Sequence, residues 1–232
     1  LDPDSKYLFS IRGKPLSNMA MPIVLRRMGL NITVHGFRST FRDWVAEETL
    51  HSPEVAEKAL DLGVAIVNDV YAGRESSKIY EVSRKYEAYY VLMHSRGDAT
   101  TMSTLNNYHN VTEEVKMYFS NEILEKQLSA DAKIILDPGF GFAKDTEQNF
   151  ELLNNLNGFQ SFNWPILVGI SRKKMIQSTL ICSADEALNG TTAIHMAALE
   201  RGANILRVHD VKQAKECVQL FLALNRSQGI LH

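Results

Sequence analysis

Three short apolar runs in this chain each end in polar side chains. Ile134-Ile135-Leu136 leads into Asp137-Pro138-Gly139-Phe140-Gly141-Phe142-Ala143-Lys144. Ile166-Leu167-Val168 leads into Gly169-Ile170-Ser171-Arg172-Lys173, and Ile205-Leu206 into Arg207-Val208-His209-Asp210. A short apolar run bounded by Gly or Pro reads as a strand buried on both faces, the mark of a parallel sheet. Polar residues at the C-terminal ends of such strands are how an α/β barrel presents an active site. An acid, a Ser-Arg-Lys and an Arg/His/Asp at three strand ends point to an enzyme that handles a small anionic substrate.

From residue 64 onward strands and helices alternate. Val64 to Val70 reads as a strand, and Ser76 to Tyr86 as a helix with Ile79, Tyr80, Val82 and Tyr86 on one face. Tyr89 to Met93 is the next strand, ending at His94, followed by an amphipathic helix from Thr112 to about Gln127. The Asp137 strand precedes a helix over Thr146 to Leu156. The Ser171 strand precedes a polar loop over residues 180–190 and a helix over Thr191 to Arg201, closed by Gly202. The Arg207 strand precedes a last helix over Lys212 to Leu224. Five strand–helix units predict a parallel sheet with right-handed crossovers. Residues 1–60 differ. Tyr7 to Phe9 reads as a short strand, Ser17 to Met28 and His35 to Glu48 as helices, and Ser52-Pro53-Glu54 as a helix start with Gly63 as its stop.

A length of 232 residues holds one barrel-sized domain, or an ordinary domain with an appendage. With 45% apolar and 22% charged residues the composition is that of a soluble globular protein. A net charge of −2 gives no basic footprint for nucleic acid. Cys182 and Cys217 fit neither a disulfide framework nor a metal cluster and suit a reducing cytoplasm. No apolar run is long enough to span a membrane. The first residues, Leu1-Asp2-Pro3-Asp4, do not read as a signal peptide, and without an initiating Met the chain reads as a processed or partial product.

Residues from about 52 to 225 resemble the dihydropteroate synthases. The resemblance rests on Ile66-Val67-Asn68-Asp69, Val91-Leu92-Met93-His94, the Asp137-to-Lys144 stretch, Gly169-Ile170-Ser171-Arg172-Lys173 and Leu206-Arg207-Val208-His209-Asp210-Val211. That family is a TIM barrel. It condenses 6-hydroxymethyl-7,8-dihydropterin pyrophosphate with p-aminobenzoate, assisted by Mg²⁺, to give dihydropteroate and pyrophosphate. The resemblance implies a partial (β/α)8 barrel of five units, corresponding to strands 4–8, without the family's first three units and the metal-holding loop among them. Five parallel strands leave open edges. The expectation is poor stability alone, or association of two copies through those edges.

The resemblance also implies roles. Asp137 accepts two N–H donors from the pterin's amino-pyrimidine edge, a bidentate pairing. Asn68 adds amide hydrogen bonds to that ring, Lys173 contacts the pterin carbonyl, and Met93 packs on the pterin face or serves as core filler. Arg207 and His209, read as alternating along one strand, point the same way and hold the pyrophosphate. Phe142 packs on the aminobenzoate ring. Ser171 and Arg172, read as a helix start, hold its carboxylate with Lys174 beside them. Asp210 orients a neighbour or caps the next turn. Two departures are Ala143, where the family often has Gly, and Lys174, where a small or hydroxyl residue is usual. Gly139-x-Gly141 without a third Gly or an acidic ribose partner does not make a dinucleotide site.

Residues 1–60 resemble part of a tyrosine recombinase (integrase) catalytic domain, carried by Thr33-Val34-His35-Gly36-Phe37-Arg38-Ser39-Thr40-Phe41-Arg42-Asp43-Trp44. His35 and Arg38 share one helix face, a spacing suited to one scissile phosphate. The remaining members of that catalytic set have no counterparts, so recombinase activity is not expected. The expected division is an integrase-like fragment over 1–60, with the seam within 51–60, and a pterin-binding domain over 61–232. Three functional classes follow: a transferase, a non-catalytic fragment with a partial pterin and pyrophosphate pocket, and a DNA-interacting remnant.

Overall fold

The central strands of this chain form where β-branched and aliphatic residues run together, and residues 90–93 and Ile134–Asp137 are buried on both faces. The computed structural model describes residues 10–11, 14–15, 56–57, 60–61, 64–70, 78–97 and 101–227. The chain divides into two compact units, Leu1–Ser52 and Pro53–His232. In the first unit β1 (Ser10–Ile11) pairs antiparallel with β2 (Lys14–Pro15). The strand and helices expected over residues 7–9, 17–28 and 35–48, with His35 and Arg38, lie outside the described residues.

The second unit carries five parallel strands that follow one another in sequence order. They are β3 (Ile66–Asp69), β4 (Tyr89–Met93), β5 (Ile134–Asp137), β6 (Leu167–Val168) and β7 (Ile205–Leu206). β3, β4 and β5 pair directly, β6 pairs with β7, and a parallel bridge from Leu136 to Ile166 joins the two groups. Between them run α1 (Lys78–Lys85), α2 (Val111–Glu125), α3 (Thr146–Asn154), α4 (Lys174–Leu180) and α5 (Leu188–Glu200), with α6 (Val211–Ser227) last. No helix among the described residues is long and apolar enough to cross a membrane.

Side chains alternate across the sheet with period two. Tyr90, Leu92, Ile134, Leu136, Ile166 and Val168 join the helices in one large core around Phe119, whose ring meets Phe159 and Phe162 edge-on at 5.9 and 6.0 Å. Val91, Ile135 and Leu167, with Ile205 against them, form a second cluster on the opposite face. Counting two residues onward along that face gives Met93, Asp137, Gly169 and Arg207. Asn68 shares the face through its register with Val91. The polar strand ends therefore sit directly beyond a small apolar layer.

Local signals set the helix ends. Asn110 caps α2 by accepting from the Glu113 N–H at 2.9 Å. Asp145 caps α3 in a reciprocal capping box with Gln148. Asp145→Ala is expected to cost about 1 kcal/mol of stability, measured by urea unfolding. The structure corrects the sequence reading in three places. A seven-residue helix, α4, follows Lys173, so Ser171 and Arg172 are not a helix start. A 3-10 segment, Leu156–Phe162, follows α3, and α5 begins at Leu188 inside the expected loop. Neither Lys173 nor Ala187 makes a side-chain cap, so nothing in the sequence marked these starts.

Candidate active site

Asp137 ends β5 with its side chain fully buried. Its Oδ1 accepts the Gly139 N–H at 2.8 Å across Pro138, which has no N–H of its own. This closes a tight turn that requires Gly139 at φ +71°, where an added Cβ would overlap the His94 carbonyl oxygen. Arg207 Nη1 donates to Asn68 Oδ1 at 2.9 Å and stands 2.9 Å from Asp137 Oδ2. The contact to Asp137 is an ion pair without hydrogen-bond alignment, so Oδ2 is a buried anionic oxygen with no hydrogen bond. The guanidinium also lies against Gly169, where a Cβ would come within 2.6 Å of Nη2. Met93, the register partner of Asp137, is wholly buried.

The loop after Asp137 is held from several sides. Gly141 donates to Asn149 Oδ1 at 2.7 Å, and Phe142 donates its N–H to the Gly139 carbonyl at 3.1 Å. Gly139, Gly141 and Ala143 all have positive φ, at 71°, 77° and 49°. For Ala143 that conformation carries a cost of about 1–2 kcal/mol, which the departure from Gly introduces.

Two lysines enter this loop. Lys173 bonds to the Phe140 carbonyl, and its Nζ lies 4.7 Å from the centre of the Phe142 ring. Burial lowers its pKa to about 8, with Asp137 opposing that and Arg207 adding to it. Lys144 is buried. Its Nζ reaches the carbonyls of Gly139 and Phe142 at 3.0 and 3.1 Å and His94 Nδ1 at 2.9 Å. Burial lowers its pKa to about 7. Asp137 opposes the shift, while Lys173 and Arg96 add to it.

A folded pKa below the ordinary 10.5 means that the unfolded chain binds the extra proton between pH 7 and 10.5. Stability against unfolding therefore rises with pH across that window. The contribution of Lys144 has a slope of up to about 1.4 kcal/mol per pH unit. Urea unfolding from pH 7 to 10 is expected to show wild type gaining on Lys144→Met as pH rises. A constant difference between the two would refute the assignment.

The remaining sequence-predicted residues are placed as follows. Because β7 ends at Leu206, Arg207 and His209 do not alternate along a strand. Arg207 turns to Asp137 and Asn68, whereas the exposed His209 meets Ser171 Oγ through its main-chain N–H at 3.3 Å and its Nδ1 at 3.0 Å. Arg172 makes two 2.8 Å bonds to Asp210 and a 3.3 Å bond to Asp185, and its main-chain N–H donates to Thr191. Its donors are thus committed inside the fold, and Asp210 is the neighbour that orients it. Lys174, the first residue of α4, is exposed. The structure gathers Asn68, Asp137 and Arg207 in one cluster, Lys173 with Phe142 in another, and Ser171 with His209 in a third. Sequence reasoning assigned nothing to Lys144, whose only signal was its place at the end of a Gly-rich turn.

The family model described as "Pterin binding enzyme" matches residues 33–209. The dihydropteroate synthase of Escherichia coli (strain K12) is 36% identical over 189 residues, covering 81% of this chain and 66% of that protein. The bifunctional dihydropteroate synthase/dihydropteroate reductase of Helicobacter pylori is 37% identical over 182 residues, covering 78% and 47%. Among solved structures, the Yersinia pestis dihydropteroate synthase with a sulfonamide drug complex superposes with a TM-score of 0.71 at 30% identity, covering 76% of this chain and 65% of that one. The Thermus thermophilus dihydropteroate synthase in complex with 6HMPPP gives 0.68 at 33% identity, covering 75% and 69%. The chain spans about two thirds of the length of the first relative and about half of the second.

Proposed function

This chain belongs to the family of pterin-binding enzymes, and we propose that it is a dihydropteroate-synthase-type transferase. In that reaction p-aminobenzoate displaces pyrophosphate from 6-hydroxymethyl-7,8-dihydropterin pyrophosphate. The observation that carries the reading is Asp137 Oδ2, an anionic oxygen that is buried, faces the strand-end cluster and lacks a hydrogen bond. An unsatisfied buried acceptor is costly. A pterin's amino-pyrimidine edge offers two adjacent N–H donors to satisfy it.

The other residues have matching tasks. Asn68 bonds the same ring, Met93 closes the layer beneath it, and Lys173 reaches the pterin carbonyl. As the pterin C–O bond breaks, charge grows on pyrophosphate, and Arg207, His209 and Lys173 are the cations this reading assigns to it. The arylamine then forms the new C–N bond and loses a proton. Phe142 takes the aminobenzoate ring. Because Arg172 is committed to Asp210 and Asp185, the aminobenzoate carboxylate falls to Ser171 and Lys174.

The resemblance carries Mg²⁺ with it, but the described residues do not fit that ion. Among the described residues no group of three or more His, Cys, Asp or Glu could hold a metal. The oxygens of Asp137 and Asn68 face a guanidinium. The His35-x-x-Arg38 spacing supports reading residues 1–60 as an integrase-like fragment ahead of a pterin-binding part over 61–232. The family match, starting at residue 33, runs across that boundary. Association of two copies is proposed along β3 and the start of β4, where Ile66 and its register partner Tyr89 stand 47% and 42% exposed. The free thiols Cys182 and Cys217 suit a cytoplasmic site.

The test is dihydropteroate formation by the purified chain from both substrates, beside Asp137→Ala. Product that disappears in the variant supports the transferase. Saturable binding of the pterin substrate without product supports a non-catalytic fragment that keeps the pocket.

A further inference from the structure

Lys144 has no catalytic task in the reading above, yet it occupies the centre of the loop that carries the site. Its Nζ is held by three groups: the Gly139 carbonyl, the Phe142 carbonyl and His94 Nδ1. Two of these belong to the loop between Asp137 and Phe142. The third belongs to the segment leaving β4, fifty positions earlier in sequence. The same His94 residue crowds Gly139 through its carbonyl oxygen. Lys144 and His94 together therefore fasten the loop to the neighbouring strand.

The partner set matches a neutral amine. An –NH₂ group donates twice, to the two carbonyls, and its lone pair accepts from a His94 Nδ1–H. All three contacts are then satisfied with no net charge in a buried site. An ammonium would keep the two carbonyl bonds and turn the third around, but would leave a buried cation with no carboxylate bound to it. The charged groups that face Lys144 are Asp137, Lys173 and Arg96. Asp137 stands against Arg207, and Arg96 is bound to Glu114 and the Asn107 carbonyl and lies over the Tyr108 ring. His94 itself packs edge-on against Tyr118 at 4.9 Å and lies 6.2 Å from Tyr108.

We propose that Lys144 is a positioning residue that, as a neutral amine, pins the Asp137–Phe142 loop to His94, and that adding a proton to it releases the loop. The proposal rests on the pterin reading for its consequence, since a released loop would misplace Asp137 and Phe142. The sign follows from linkage. In the released loop the amine meets water and takes a proton at the ordinary lysine pH, so lowering pH favours release. Protonation releases the loop without having to unfold the chain.

The experiment needs no ligand. Lys144 is titrated through its ¹³Cε shift while amide hydrogen exchange at Gly139, Gly141 and Phe142 is followed from pH 8.5 to 5.5, corrected for intrinsic rates. The expected result is a Lys144 midpoint well below the other lysines. Loop protection should fall about tenfold or more as pH drops from 8.5 toward that midpoint, and level off below it. In Lys144→Met the loop should exchange fast at every pH, with global unfolding checked separately. A Lys144 midpoint in the ordinary lysine range overturns the proposal. So does loop protection that ignores pH, or a pH dependence that survives in Lys144→Met. Calorimetry with pterin pyrophosphate at pH 8 tests the pterin reading by itself. Absence of binding there, with the loop titration intact, would count against that reading and not against the fastening.

Discussion

On the proposed reading, asparagine at position 137 is expected to lower pterin affinity and turnover by about a hundredfold while leaving the fold intact. The turn survives because the asparagine oxygen still accepts the Gly139 N–H held by Oδ1 in wild type. What changes is the other arm. Oδ2 becomes an –NH₂ donor facing Arg207 Nη1 at the position now 2.9 Å away, so a donor meets a donor. Arg207 is then left without its counter-charge. A lost charge-assisted hydrogen bond to ligand costs about 1.5–3 kcal/mol, or about ten- to 150-fold, and the repulsion between the new donor and Arg207 adds to it. The check is the Kd for the pterin substrate and steady-state turnover, with circular dichroism to confirm the fold. An asparagine variant within tenfold of wild type in both would show that the pterin is not held here.

Alanine at position 139 is expected to destabilise the chain by about 3–5 kcal/mol, far more than alanine at position 141. Both glycines have positive φ, 71° and 77°, so each substitution carries the left-handed cost of about 1–2 kcal/mol. Their surroundings differ. At position 139 the new Cβ overlaps the His94 main-chain oxygen, which is fixed because the His94 N–H is bonded to the Asp137 carbonyl at 2.9 Å. Relief requires β4 and β5 to part, and the cap on Asp137 is lost with them. At position 141 the new Cβ meets only the Lys173 side chain, at 3.0 Å from Cδ, and a methylene chain can swing aside. Urea unfolding of both variants separates the cases. Equal losses would mean that strain in φ dominates and the close approach of His94 contributes little.

The elements legible in the sequence were those with a strong local pattern. Tyr89–Met93 and Ile134–Asp137 are apolar runs stopped by polar residues or proline, and both are strands at those positions. The helices after Asn110 and Asp145 begin at side chains that can cap them. The helix read as starting at Ser171 and Arg172 begins at Lys174 instead, because no capping side chain marks its start. The last strand was read as running through His209 because Arg207-Val208-His209 continues an alternating pattern. Hydrogen bonding stops at Leu206, where the chain leaves its pairing with β6.

The sequence by itself determined which segments become strands, which face of each is apolar, and that an acid, a lysine and an arginine would stand at strand ends. It did so through local patterns of period two and short turns, which are countable along the chain. The tertiary structure alone decided who meets whom. Arg207 bonds Asn68 across 139 positions, and Lys144 meets His94 across fifty. It also decided that Arg172 turns inward to Asp210 instead of facing a ligand. Such partnerships depend on sheet register and on how helices pack behind it. The energy of each pair depends on burial, which no spacing along the chain encodes.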